Sequence, residues 1–228
     1  MHKSKDIVLI NKYIKLHNIE NLFSSSIKEN LELFHFNKRD LIFKEGTEIS
    51  HLMFFVEGKA KVYMTLENGK LILISFYKEL DTLGDLEFVT NDVASCNVEA
   101  IEPCVCLGIP INILKDRYNE DTKLLQFLCT SVAQKLKRSS KNSSINLLYP
   151  LESRLASYII SIGVKEDNPI FRFDETLTVL SELLGASYRH LHRTLNNLEE
   201  KKILEKKDKH YLVLDYKKLK SISADIYK

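Results

Sequence analysis

Residues 176–200 read TLTVLSELLGASYRHLHRTLNNLEE, and they divide into two helical segments at Gly185. In the first segment Leu177, Leu180, Leu183 and Leu184 recur at helical spacing, and glycine follows where a left-handed residue ends a helix. Thr176, with Glu175 before it, stands at the capping position. The second segment opens on Ser187, a good N-cap, and repeats Leu191, Leu195 and Leu198, so one face is buried and the other is free. Tyr188, Arg189, His192 and Arg193 load the free face. Ser181, four residues ahead of the glycine, supplies a small side chain where the two helices cross closely. These features predict a helix-turn-helix whose second segment is a recognition helix.

Downstream, residues 203–205 and 210–214 are short apolar runs separated by KKDK, which predicts a two-stranded hairpin and hence a winged helix. An ordinary helical hairpin with a lysine-rich solvated turn is the competing reading. Arg189 and Arg193, at i and i+4, offer planar donors that suit guanine edges or phosphates. Lys201, Lys202, Lys206, Lys207 and Lys209 crowd the wing, and Lys135, Lys137, Arg138 and Lys141 crowd a helix end further upstream. A charge run alone is more often a solvated face. Beside a recognition helix, both clusters suit DNA phosphates.

Upstream, Pro150 suits the first turn of a helix in which Leu151, Leu155, Tyr158, Ile159 and Ile162 form the face supporting the pair. Residues 141–149, KNSSINLLY, read as a linker. Before it a long helix, capped by Asp121 and reaching about Asn142, carries Leu125, Leu128, Val132 and Leu136 as an apolar seam. The seam predicts a homodimer, because helix-turn-helix proteins bind half-sites in pairs. Packing of the same stripe on its own barrel is the alternative.

Toward the N-terminus, residues 6–17 place Ile7, Ile10, Ile14 and His17 on one helical face. From Leu31 the apolar period changes to two, in strand-length segments broken at Gly46, Gly58, Asn68–Gly69 and Gly84. Asn68–Gly69 between two apolar runs is a strong hairpin signal. Seven or more short strands predict a jelly roll. The expected class is α+β: a β-barrel effector or sensor domain with its leading helix (1–120), a dimerisation helix and hinge (121–145), and a winged helix (146–228).

With 228 residues and 44% of them apolar, two cores are affordable. No run of 18 apolar residues and no signal-peptide core occurs, so a soluble cytoplasmic protein without a membrane partner is expected. Four cysteines in such a compartment argue against structural disulfides. Cys104 and Cys106 leave the same face of a strand, opposite Val105, Leu107 and Ile109. With Cys96 and Cys129 they could hold zinc or an iron-sulfur cluster, but no C-x-x-C is present, and redox-active thiols or plain packing are the other readings. No cofactor is expected. His190 and His192 point about 200° apart on a helix and suit DNA contact or solvent. Catalytic motifs are missing: there is no phosphate-cradling glycine loop, H-E-x-x-H or G-x-S-x-G. A cupin-like enzyme using His35 and His51 competes weakly, since those histidines form no clustered H-x-H. A module whose wing docks on a protein is the remaining alternative.

The order of jelly roll, long helix and winged helix resembles the CRP/FNR family of bacterial transcription regulators. The resemblance rests on EGTEISHLMFFVEGKAKVYM (45–64), LGDLEFV (83–89) and LTVLSELLGASYRHLHRTLNNLEEKKIL (177–204). Within the family the chain is similar to the YeiL-type branch, through LGASYRHL (184–191), IEPCVCLGIP (101–110) and FLCTSVAQK (127–135). The resemblance implies a homodimer on double-stranded DNA that controls RNA polymerase access. It places Tyr188, Arg189 and Arg193 toward base edges and Thr176 and Ser187 at phosphate-contacting positions, with Lys206 and Lys207 on the wing. The family's arginine-glutamate pair is replaced by Tyr188-Arg189, so its familiar operator is not carried over. In the effector domain Gly84 and Asp85 match the glycine-glutamate of the phosphate cassette. The cassette arginine falls on Ala94, followed by Ser95 and Cys96. Alanine cannot partner a phosphate monoanion, so cyclic AMP and cyclic GMP are expected to bind poorly. Asp85 and Glu87 predict an acidic pocket that Phe76 and Phe88 line or fill, with the effector left open.

Overall fold

In the computed structural model, residues 2–224, 226 and 227 are described, with the backbone alone for 141–147. Spatial proximity divides the chain into two units. The first is Met1–Met64 with Tyr77–Arg138, and the second is Thr65–Phe76 with Ser139–Lys228.

The first unit opens with strand β1 (His2–Ser4) and helix α1 (Ile7–Leu16). Asp6 caps α1 by accepting from the Val8 and Leu9 amides. The buried face is Ile10, Tyr13 and Ile14, whereas Ile7 is 70% exposed and does not belong to it. The strands that follow are β2 (Glu32–Phe36), β3 (Leu41–Phe43), β4 (His51–Glu57) and β5 (Ala60–Thr65). Strand β6 (Leu71–Tyr77) follows a turn in which the Gly69 amide donates to the Leu66 carbonyl. Then come β7 (Thr82–Leu83), helix α2 (Asp85–Thr90), β8 (Asn97–Ala100) and β9 (Cys104–Pro110). One antiparallel sheet has the order β1-β2-β9-β4-β7, and the other, within this unit, runs β3-β8-β5. Strand β1 is not legible in the sequence because His-Lys-Ser carries no strand signal; it is defined only by its pairing with β2.

Strand β9 is buried on both faces. Val105, Leu107 and Ile109 join the core with α1 and with Leu124 and Leu128. Cys104 and Cys106 lie opposite, in register with Phe36, Phe34 and Phe55. After a short helical stretch, α3 (Ile111–Ile113) with a wide turn to Tyr118, helix α4 runs over Thr122–Leu148. Asp121 caps it, accepting from the Lys123 and Leu124 amides. The expected linker at 141–149 is therefore helix up to Leu148. No glycine or proline interrupts α4 before Pro150, and the residue preceding a proline is where a helix stops.

The second unit contains α5 (Leu151–Ser161), β10 (Ile170–Phe171), α6 (Leu177–Leu183), α7 (Tyr188–Glu200), β11 (Leu204–Lys207), β12 (His210–Val213) and α8 (Tyr216–Ser223). Its sheet has the order β10-β12-β11. An aromatic cluster joins Phe76 to Tyr158 and Tyr227, Tyr158 to Phe173, and Phe173 to Phe171 and Tyr211. Phe76, expected beside the effector pocket, belongs here instead.

Candidate functional site

The helix pair is fixed locally before it is fixed by packing. Thr176 accepts from the Val179 amide at the start of α6, and Ser187 accepts from the His190 amide at the start of α7. Between them Gly185 takes φ +59, with its amide bonded to the Glu182 carbonyl and the Ala186 amide to the Ser181 carbonyl. That pair of bonds is a Schellman ending, which needs the left-handed residue at its centre. Leu191, Leu195 and Leu198 bury one side of α7, together with Thr194. Arg154, from α5, carries no signal in the sequence; it is buried and its Nη1 donates to the Leu184 carbonyl, so α5 caps the end of α6.

The open side of α7 gathers Tyr188, Arg189, His192 and Arg193. The Tyr188 and His192 rings lie 6.1 Å apart, one turn from each other, with the two arginines on the same exposed side. In the wing the turn is tighter than KKDK suggests. Lys206 and Lys207 are in the ladder, opposite Tyr211 and His210, and Asp208–Lys209 makes a two-residue turn with Asp208 at φ +51. Both lysines are exposed, with Lys207 3.2 Å from Glu205. Lys201 is no part of the wing: it pairs with Glu152 at 2.7 Å and ties α7 to α5.

The upstream basic cluster is corrected more sharply. Lys135 pairs with Asp85 at 2.5 Å, and Arg138 meets both Asp81 carboxylate oxygens at 3.0 and 3.3 Å. These two cations serve the barrel, and Lys141 lies outside the residues with described side chains. Leu128, 1% exposed, is likewise core and not seam. The exposed apolar stripe of α4 is Leu125, Cys129, Val132 and Leu136, with Leu125 38% and Leu136 67% exposed and Val132 half-buried. Its spacing of four, three and four is a heptad seam. The barrel-facing stripe, Leu124, Leu128, Ser131, Lys135 and Arg138, has the same rhythm, about 100° around the helix.

The cavity at the expected effector site is small and lined by paired charges of the protein itself. Gly84 takes φ +84 before α2, and a Cβ there would sit 3.0 Å from the His51 carbonyl oxygen. The remaining space measures about 70 Å³ and is lined by Asp85, Glu87, Ser95, Cys96, Tyr77 and Lys135, among others. Pockets for small molecules are typically about 300–1,000 Å³. Asp85 is not the free acid expected: Lys135 binds Oδ1 and Ser131 Oγ donates to Oδ2 at 2.7 Å. Glu87 accepts from the Ser95 amide and hydroxyl. Ala94 is buried, its backbone bonded to Thr47 and Gly46. Phe88 packs against the core and lines a separate surface pocket with Glu48, Asp92 and Lys115. Burial disfavours the Lys135 ammonium, but the Tyr77 and Asp85 side chains reverse this and leave its pKa above the ordinary value.

Among the described residues no three His, Cys, Asp or Glu side chains gather as a metal site. Burial pushes the Cys104 thiol up to about 11 and that of Cys106 well above its usual value; Cys96 is raised for the same reason. Cys129 is exposed. His51 bonds Glu32 at 2.9 Å. Among the described residues no helix is long and apolar enough to cross a membrane.

Residues 33–121 match the cyclic nucleotide-binding domain, and residues 153–222 match the Crp-like helix-turn-helix domain. That pairing, on this fold, defines a transcription regulator that binds DNA through its helix-turn-helix. The chain belongs to the CRP/FNR family. It is 32% identical over 204 residues to regulatory protein YeiL of Escherichia coli O157:H7, covering 90% of this chain and 91% of that protein. It is 23% identical to the fumarate and nitrate reduction regulatory protein of Vibrio cholerae, over 80% and 75% of the two chains. Among solved structures, a CRP-family transcriptional regulator from Thermus thermophilus superposes with TM-score 0.68 at 16% identity, over 86% and 98%.

Proposed function

We propose that the protein acts in the cytoplasm as a homodimer that binds near-palindromic duplex DNA and governs RNA polymerase at promoters, without cyclic AMP or cyclic GMP. The observation that carries the DNA reading is the open side of α7, where two arginines, a tyrosine and a histidine are exposed behind a capped helix start. Arginine forks there suit guanine edges, with Thr176, Ser187, Lys206 and Lys207 placed for phosphates. The dimer reading is supported by the exposed heptad stripe of α4, an apolar face in search of an identical one. The effector reading is supported by the cavity of about 70 Å³ and by Ala94 in place of a cation. We take the cysteines as thiols without a metal or cluster, because two are sealed in β9 and the others sit apart in the cavity wall and on α4.

Selection of bound duplexes from a random library, followed by footprinting, tests the reading. A near-palindrome with half-sites one turn apart, ~34 Å, is expected. Failure to enrich any sequence overturns it. Calorimetry with cyclic AMP and cyclic GMP is expected to show no binding, and micromolar affinity for either overturns the effector reading. Transcription in vitro from a promoter carrying the selected site is expected to change on adding the protein.

A further inference from the structure

A half-buried cation from α4 lines the cavity at the expected effector site. Lys135 Nζ lies 2.5 Å from Asp85 Oδ1 and 2.5 Å from the Thr82 carbonyl oxygen, and 5.1 Å from the centre of the Tyr77 ring. Ser131, one turn earlier, donates to the other Asp85 oxygen, and Arg138, one turn later, holds Asp81. Asp85 is 1% exposed, so both of its oxygens are satisfied within the protein by a single helix. A buried carboxylate deprived of its cation is strongly destabilising, far more than a surface pair would be.

The contacts are spaced along one stripe of α4. Ser131, Lys135 and Arg138 follow Leu124 and Leu128, so the helix is seated by leucines at its start and by charges further on. Their grip also sets the rotation of α4 about its own axis. With Lys135 turned into the cavity, Leu125, Cys129, Val132 and Leu136 are turned outward. A rotation of one residue, about 100°, would carry Leu125, Cys129, Val132 and Leu136 into the barrel-facing position.

We propose that Lys135 is a tethered ligand of this domain: its ammonium occupies the effector cavity and orients α4 for dimerisation, a task otherwise suited to a diffusible effector. This extends the reading of the protein as a DNA-binding dimer, and it predicts that DNA binding needs the Lys135–Asp85 pair and no small molecule. The chemistry that the cavity recognises is thus a primary ammonium.

The test removes the tether and supplies its head group in solution. Lys135→Ala vacates the cavity and leaves Asp85 without a cation. The variant is expected to melt at lower temperature and to bind the selected duplex at least about tenfold more weakly. Ethylammonium chloride is expected to restore both properties saturably, whereas sodium chloride and tetramethylammonium chloride at equal ionic strength are not. In Lys135→Ala/Asp85→Asn the ethylammonium response is expected to vanish. Lys135→Met keeps the stem and its packing, and serves if the alanine variant does not fold; it too is expected to lose affinity and melting temperature. The proposal is overturned if Lys135→Met matches the wild type in both, or if ethylammonium acts no differently from sodium chloride. The melting arm uses no DNA, so failure of the DNA reading leaves this result interpretable.

Discussion

Helices α7 and α4 differ in what they leave open and in what they turn inward. In α7 the side packed on its own unit is Leu191, Leu195 and Leu198, and the open side is Tyr188, Arg189, His192 and Arg193. In α4 the open side carries Leu125, Cys129, Val132 and Leu136, while the side laid on the barrel ends in Ser131, Lys135 and Arg138. A helix that belongs to one unit keeps oil inside and charge outside. A helix that turns Lys135 and Arg138 inward and leaves an apolar stripe open suits a partner beyond that unit. The inversion, more than the number of leucines, supports a partner for α4.

Breaking the outer face of α4 has the largest expected effect. Val132→Asp would bury two like carboxylates across a two-fold seam, and ionised carboxylates that close lack compensation. The variant is expected to sediment as a monomer with near-native circular dichroism and to bind the selected duplex roughly 100-fold or more weakly, a penalty of several kcal/mol per buried charge. A dimer at micromolar concentration would move the seam elsewhere and end the contrast with α7.

Arg193→Ala acts on the open side of α7. The expected cost is ~1–3 kcal/mol of discrimination at one base pair, read by titrating the selected duplex against a variant at that position. Equal affinities for the two duplexes in the wild type would show that the arginine does not read a base. Ser187→Ala removes the amide acceptor at the helix start and is expected to lower unfolding stability by about 1 kcal/mol in urea titration. Lys206→Ala is the mildest: all duplexes should weaken alike, with the slope of log affinity against log salt reduced by about one. A selective loss of the specific site would place the wing on bases.

The same contrast explains what can be read from the sequence. Thr176, Gly185, Ser187 and the leucines of α6 and α7 are close neighbours along the chain, so caps, turn and period speak for themselves. The wing is visible too, but its lysines misplace the turn, because register is set across strands: Lys206 faces Tyr211 and Lys207 faces His210. Leu128 reads as seam because it lies three residues after Leu125 and four before Val132, and helical periodicity allows both steps. Only the barrel tells that Leu128 is covered. The effector cavity is least legible, since its walls come from Phe43, Tyr77, Asp85, Cys96 and Lys135, spread over most of the first unit. In a basic run beside a DNA-binding domain, Lys135 looks like one more phosphate contact. Its partner, 50 residues away in the chain, gives it another meaning.

In the proposed dimer, Cys129 sits within the exposed stripe of α4, between Leu125 and Val132, and so faces the identical helix. The residue at such a point decides which chains mix. A related regulator in the same cell with a bulkier side chain there would clash, and one with alanine would leave a void, so each would do better with its own kind. A small change at this one position could therefore split a duplicated regulator into two that no longer exchange subunits, with neither recognition helix altered.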